Sequence, residues 1–150
     1  MTKIKLYTDG ACSGNPGQGG WGVVYINESD ENEEVQTFNG SESVTTNNRM
    51  ELQAAIEGIR KVNVDDSVTI ITDSQYVKNG ITEWIKNWKN NDWKTSSKKA
   101  VKNKDLWVVL DDLNSTYKIS WKWIKAHQDD EKDDVKYNNL ADELARRGYE

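Results

Sequence analysis

Residues 68–72 read VTIIT, a short run without a charge that ends directly against Asp73. A strand with one wet face alternates apolar and polar positions, whereas a run this uniformly apolar is covered on both faces. The run therefore predicts a buried, central strand. The chain around it must supply a sheet and helices packed on it.

The flanking pattern supplies both. Lys3–Thr8 places Ile4 and Leu6 on one face at two-residue spacing, and Trp21–Ile26 and Val35–Gly40 read as further strands. A glycine-rich loop, GACSGNPGQGG, follows the first strand, and an acidic turn joins the second to the third. Three strands so close in sequence predict an antiparallel meander. From Thr46 the period changes: Leu52, Ala55, Ile56, Ile59 and Val62 recur at helical spacing, with Thr45 or Thr46 as N-cap. Ser74–Asn79 and Ile81–Asn90 read as helices separated by Gly80. Lys104–Leu113 is a further helix, Lys118–Ile124 a fifth strand with Trp121 and Trp123 on one face, and the last helix lies near Asn139–Arg147. The expected order is β-β-β-α-β-α-α-α-β-α, a mixed sheet in a single α/β domain over residues 1–150. There are no repeats and no linker.

Two aspartates stand at the carboxyl ends of expected strands, Asp9 after the first and Asp73 after the fourth. Ligands of open α/β sheets bind at that edge. If the two strands are parallel neighbours, the carboxylates lie within a few ångströms of each other. Glu51 borders the apolar stripe of the first helix, and Asp142 sits between Ala141 and Leu144 on the last. Each residue taken singly fits a turn former or helix cap equally well. Taken together, four crowded carboxylates require a compensating cation. An all-oxygen ligand set, with one histidine in the chain, favours Mg²⁺ or Mn²⁺ over zinc. Two such ions about 3.5–4 Å apart would suit in-line phosphoryl displacement.

Charge is segregated along the chain. The formal net charge is -5, yet residues 86–104 hold seven lysines against Asp92 alone, a local charge of +6, leaving -11 for the rest. Much of the acid lies in ESDENEE (28–34) and DDEKDD (129–134). A basic stretch on an acidic body fits a polyanion-binding surface or a solvated charged helix and loop. No apolar run approaches membrane-span length, the first ten residues lack a signal-peptide core, and the lone Cys12 cannot form an internal disulfide. A cytoplasmic monomer with no membrane partner is expected.

The stretches YTDGACSGNPG, TTNNRMEL, TDSQYVKNGITEWIKNWKNNDWKT and ADELAR occur in this order. Together they closely resemble ribonuclease H of type 1, the bacterial ribonuclease HI group, from about Lys3 to Arg147. The resemblance implies a five-stranded mixed sheet of order 3-2-1-4-5 with flanking helices. It also implies hydrolysis of the RNA strand of RNA–DNA hybrids with two Mg²⁺ ions, leaving 3'-hydroxyl and 5'-phosphate ends. It places the metal-binding catalytic carboxylates at Asp9, Glu51, Asp73 and Asp142, and a histidine assisting proton transfer or product release at His127. Cys12, Ser13, Asn15, Asn48 and Gln75 match positions that touch RNA 2'-hydroxyls and minor-groove edges, the feature by which a protein tells RNA from DNA. Thr46, Asn47 and Asn103 match a pocket for a DNA-strand phosphate, and Trp84 and Ser96 match the DNA channel. The basic stretch then corresponds to a DNA-holding protrusion, with Lys86, Lys89, Lys98 and Lys99 facing phosphates and Trp88 and Trp93 packed beneath.

Two departures from the family pattern stand out. The position seven before Glu51, often a phosphate-gripping arginine, is Val44. The segment from His127 to Asp142 is about five residues longer than usual and carries DDEKDD, so contacts from His127, Glu131 and Asn138 are open. Two other functions remain to be weighed: a catalytically silent hybrid-binding module, and a metal-dependent strand-transfer core. All four carboxylates argue against the first, and the intact protrusion argues against the second.

Overall fold

The computed structural model describes residues 2–29, 34–126 and 132–150. Five strands form one sheet in the order β3-β2-β1-β4-β5. They are β1 (Lys3–Cys12), β2 (Gly17–Asn27), β3 (Val35–Thr45), β4 (Ser67–Thr72) and β5 (Lys118–Trp123). β1, β2 and β3 pair antiparallel, whereas β4 runs parallel to both β1 and β5. Helix α1 (Asn47–Ile59) precedes β4. Between β4 and β5 come α2 (Gln75–Asn79), a π-helical turn (Gly80–Trp84), α3 (Ile85–Asn90) and α4 (Lys104–Thr116), and α5 (Asp133–Arg147) closes the chain.

The uniformly apolar β4 has the two covered faces its sequence requires. Val68 and Ile70 join Leu6, Leu52, Ile56, Trp107 and Leu110 in the larger core, beneath α1 and α4. Ile71 points the other way, into a smaller core with Tyr7, Val24, Ala141 and Leu144 beneath α5. Each such side chain withdrawn from water contributes roughly 1.5–3 kcal/mol before entropy is counted. Those two layers hold the carboxyl ends of β1 and β4 rigidly side by side.

Four expectations need correction. The glycine-rich stretch is strand at both ends, because β1 runs on to Cys12 and β2 begins at Gly17. Two of its glycines serve helix packing: a Cβ on Gly10 would lie 2.7 Å from the Met50 carbonyl oxygen of α1, and one on Gly20 would meet the Ala145 carbonyl oxygen of α5. β3 likewise extends beyond Gly40 to Thr45, leaving Thr46 as the N-cap of α1, its hydroxyl accepting from Arg49 N–H at 3.3 Å.

Gly80 does not break the helical segment. The chain passes through it as one π-helical turn, and the buried indole of Trp107 rests on the space a side chain would fill, 2.6 Å from Cζ2. Finally, α5 begins six residues before Asn139. Asp134 anchors that added length, accepting from Tyr7 Oη at 2.5 Å and from Lys122 Nζ at 2.7 Å, with Lys5 Nζ at 3.6 Å. Asp133 and Asp134 also suit the positive end of the helix dipole. The end of the acidic run is thus helical and tethered to the sheet, while its start lies outside the described residues.

Gly80→Ala should destabilise the fold by roughly 1–3 kcal/mol through overpacking against Trp107. Urea denaturation measures this, and an unchanged midpoint would show that the π turn does not depend on that contact.

Candidate metal centre and nucleic-acid interface

The parallel β1–β4 ladder ends at Thr8↔Thr72, so Asp9, still within β1, and Asp73, just past β4, stand side by side beyond it. Glu51 reaches them from the second turn of α1, which lies almost against β1: a Cβ on Gly10 would come 2.7 Å from the Met50 carbonyl oxygen. The Gly10 N–H donates to Glu51 Oε1, fixing that carboxylate over the strand end. One oxygen from each of Asp9, Glu51 and Asp73 lies within 4.8 Å of the others. Asp142, on α5, lines the same cleft of about 320 Å³ and pairs with Arg146 one helical turn on, at 3.2 Å.

Crowding and burial act on this cluster in the same direction. Asp9 is 5% exposed. Its burial, and then the neighbouring Glu51 charge, push its carboxyl far above the ordinary carboxylate range. Burial also raises Glu51, although hydrogen bonds from Asp9, Gly10 and Ser74 offset part of the effect. The cluster cannot hold all its negative charge unaided; it keeps a proton or takes a cation. Its donors are all hard oxygens, which fits a divalent ion of the Mg²⁺ or Mn²⁺ type. Among the described residues no other group of three potential ligands comes together in this way. His127 lies outside the described residues.

The expected substrate residues surround this centre on one side of the molecule. Cys12 and Asn48 line the carboxylate cleft. The Cys12 thiol lies 3.4 Å from the carbonyl oxygens of Gly17 and Thr45, holding the ends of β2 and β3 together. Gln75 is exposed at the start of α2, two residues after Asp73. Ser13 caps the β1–β2 turn, its hydroxyl donating to the Gln18 carbonyl at 3.1 Å.

A second cleft, of about 340 Å³, opens where the N-termini of α1 and α4 converge; Asn15, Thr46, Asn47, Asn48, Lys102 and Asn103 line it. The positive ends of two helix dipoles favour an anion there. Asn103 adopts a left-handed conformation, φ 61°. It is held from behind, donating to Tyr76 Oη at 3.1 Å and accepting from Arg49 Nη1 at 3.2 Å. Val44 stands nearby, two residues before Thr46 and 76% exposed.

Beyond it, Trp84 and Ser96 line a third cleft, of about 370 Å³. Trp84 is 38% exposed at the end of an aromatic chain running through Trp88 to the buried Trp107, with ring centroids 6.1 and 5.3 Å apart. Trp93 packs on Trp88 at 6.4 Å, so both belong to the base of the protrusion. Lys86, Lys98 and Lys99 are exposed. Lys89 departs from the expectation: its ammonium is paired with Asp111 of α4 at 3.0 Å, joining the protrusion to the body.

Two residues at these clefts are not singled out by sequence, and a third contact is left open. Ser74, in the carboxylate cleft, caps α2 by accepting from Val77 N–H at 3.1 Å. Lys102 borders the second cleft. Asn138, buried in α5, donates to Asp73 at 3.2 Å. Its contact is open on sequence, where it stands before the expected helix, and only its tertiary neighbour Asp73 defines it.

Comparison with known proteins agrees with this geometry. The family model described as RNase H matches residues 1–150. The chain belongs to the ribonuclease H family. Ribonuclease H of Marinobacter nauticus is 52% identical over 146 residues, 97% of this chain and 93% of that protein. Ribonuclease H of Hydrogenovibrio crunogenus is 50% identical, covering 100% of this chain and 97% of its own. Among solved structures, LC9-RNase H1, described as a type 1 RNase H with the type 2 active-site motif, superposes with a TM-score of 0.84. It shares 29% identity, over 98% of this chain and 72% of that one. The ribonuclease H domain of PFV gives 0.83 at 25% identity, over 99% and 94%.

The electrostatic strain in this ribonuclease H centre has a measurable consequence. Unfolded carboxyls ionise near pH 4, whereas those of Asp9 and Glu51 hold protons to higher pH when folded. Between those values the folded state binds more protons, so stability falls as pH rises. Without metal, Asp9→Asn should exceed the parent protein in stability at pH 7 by roughly 1–3 kcal/mol. The advantage should shrink towards zero near pH 4. Urea denaturation in chelator at both pH values checks this; equal stability at pH 7 would mean the cluster carries no strain.

Proposed function

We propose that this chain is an endonuclease that hydrolyses the RNA strand of RNA–DNA hybrids, leaving 3'-hydroxyl and 5'-phosphate ends. The carrying observation is the cluster of Asp9, Glu51 and Asp73 in a cleft adjoined by a second cleft that shares Asn47 and Asn48 with it, with a third beyond, a run suited to a nucleic-acid strand. With Asp142, these residues would hold two divalent ions, Mg²⁺ foremost, with Mn²⁺ able to substitute. When bound, such ions lower the pKa of water and stabilise charge at a phosphate undergoing in-line displacement. The chain itself binds and orients. Cys12, Ser13, Asn15, Asn48 and Gln75 meet the RNA strand near its 2'-hydroxyls. Thr46, Asn47 and Asn103 take a phosphate of the DNA strand between two helix starts, and Trp84 and Ser96 guide that strand along the protrusion. His127 assists proton transfer or product release. The protein works as a single-domain monomer in the cytoplasm.

Gel cleavage of end-labelled hybrid, RNA–RNA and DNA–DNA duplexes, with Mg²⁺ and with chelator, tests the reading. Only the RNA strand of the hybrid should be cut, and only with metal. Asp9→Asn should abolish cleavage while still binding hybrid, because a neutral amide is a poor substitute at the centre of the cluster. Binding of hybrid without cleavage by the parent protein would favour the silent binding module instead.

The protrusion makes a separable contribution. Changing Lys86, Lys98 and Lys99 together to Gln should flatten the slope of log K against log salt by about 0.7–0.9 for each phosphate no longer neutralised. Lys89→Gln should leave that slope unchanged, since its charge is spent on Asp111. Fluorescence anisotropy across a salt series distinguishes the two; a slope unchanged in the triple variant would make the stretch a solvated charged face.

A further inference from the structure

Asn138 occupies a position where α5 should be apolar. It is 2% exposed, and Val135, Ala141, Leu144 and Ala145 of the same helix are also buried. Its Nδ2 donates to Asp73 Oδ2 at 3.2 Å. Its Oδ1 is fully buried and, among the described residues, accepts from no group. The orientation of the amide is not free: an ionised carboxylate can only accept, so the nitrogen must face Asp73 and the oxygen must take the other side. An amide placed for stability alone would not leave a buried acceptor orphaned, which costs about 1–3 kcal/mol.

From this geometry we infer that Asn138 is a positioning residue of the metal centre. Its amide fixes the rotation of the Asp73 carboxylate, committing Oδ2 to α5 and leaving Oδ1 for the cluster. Asp73 is the member with most freedom: the Gly10 N–H restrains Glu51 and Asp9 is the more deeply buried, whereas Asp73 is only half-buried. Asp142 follows Asn138 by four residues and so lies on the same face of α5. One helix thus sets two carboxylates at once, Asp142 covalently and Asp73 through Asn138. The Asp134 tether to Tyr7 and Lys122 then acts one turn earlier to fix where α5 sits on the sheet. The role resembles that of the outer hydrogen-bond partners of metal ligands in general, whose loss weakens metal binding about 10–100-fold.

The inference rests on the proposed metal centre, and its test separates the two. Asn138→Leu removes both the donor and the orphaned acceptor at similar volume; Asn138→Ala does so with no demand for space. Calorimetric titration of Mn²⁺ into the metal-free proteins, without substrate, should show affinity weakened about 10–100-fold in each folded variant. Thermal unfolding in chelator should show Asn138→Leu at least as stable as the parent. Steady-state kinetics at fixed metal should show kcat reduced and KM for hybrid little changed, with part of the loss recovered at high metal concentration. Parent-like Mn²⁺ affinity in folded variants would overturn the role of Asn138 alone. A parent protein that binds no Mn²⁺ would overturn the metal centre and this inference with it. A metal affinity that fell only in step with lost thermal stability would make Asn138 an ordinary packing residue.

Discussion

The parallel pairing of β1 with β4, in register from Lys3↔Ser67 to Thr8↔Thr72, is the constraint on which the rest of the molecule depends. It brings two aspartates from 64 positions apart in sequence (Asp9 and Asp73) to the same edge of the sheet. Everything that makes the edge chemically unusual follows from holding them there. α1 adds a third carboxylate because glycine at position 10 lets it press onto β1, and α5 adds a fourth from the opposite layer. Like charges gathered in a buried place repel, and the fold tolerates the repulsion because hydrophobic layers on both faces of β4 fix the strand ends.

The surroundings of the centre divide its tasks. Helix starts and a left-handed asparagine shape an anion cleft beside it, and the aromatic chain from Trp107 to Trp84, joined to that asparagine through Tyr76, carries an exposed indole outwards beyond. The lysines of the protrusion are not equivalent. Lys89 is consumed in joining the protrusion to α4, leaving Lys86, Lys98 and Lys99 of the four expected to face phosphates. Because charge is screened over about 8 Å at physiological salt, the acidic remainder of the chain need not cancel that field. Part of the acid is moreover neutralised in place: Asp134 is surrounded by Lys5, Lys122 and the Tyr7 hydroxyl, and its carboxyl lies below the ordinary range despite its burial.

Much of this was legible in the sequence wherever a local pattern matched a local cause. The uniform apolarity of residues 68–72 reported a strand covered on both faces, and the helical period after Thr46 reported α1. Asp73 announced itself by standing at a strand end; Asp9 was expected at one too, but lies within β1, just past its paired length with β4. What the sequence hid was long-range. The glycines of residues 10–20 read as loop, although Gly10 and Gly20 are there because helices cross the sheet closely, a fact that belongs to Met50 and Ala145 elsewhere in the chain. Gly80 read as a break because its partner, Trp107, was unknown. The early start of α5 depends on Tyr7 and Lys122 accepting Asp134 as a neighbour. Asn138 stood outside the expected last helix with its contact open, until Asp73 appeared beside it.

Asp9, Glu51 and Asp73 are held so close that they must share a proton or a divalent ion. Metal binding should therefore expel protons. A pH-stat titration of the metal-free protein with Mg²⁺ measures this directly. About one proton per molecule should be released at pH 7, since each ligand must give up its proton to bind a cation. The release should fall as pH rises and vanish in Asp9→Asn. Saturable Mg²⁺ binding with no proton release at any pH between 5 and 8 would show that the three carboxylates are already ionised, and that their crowding does not govern the centre.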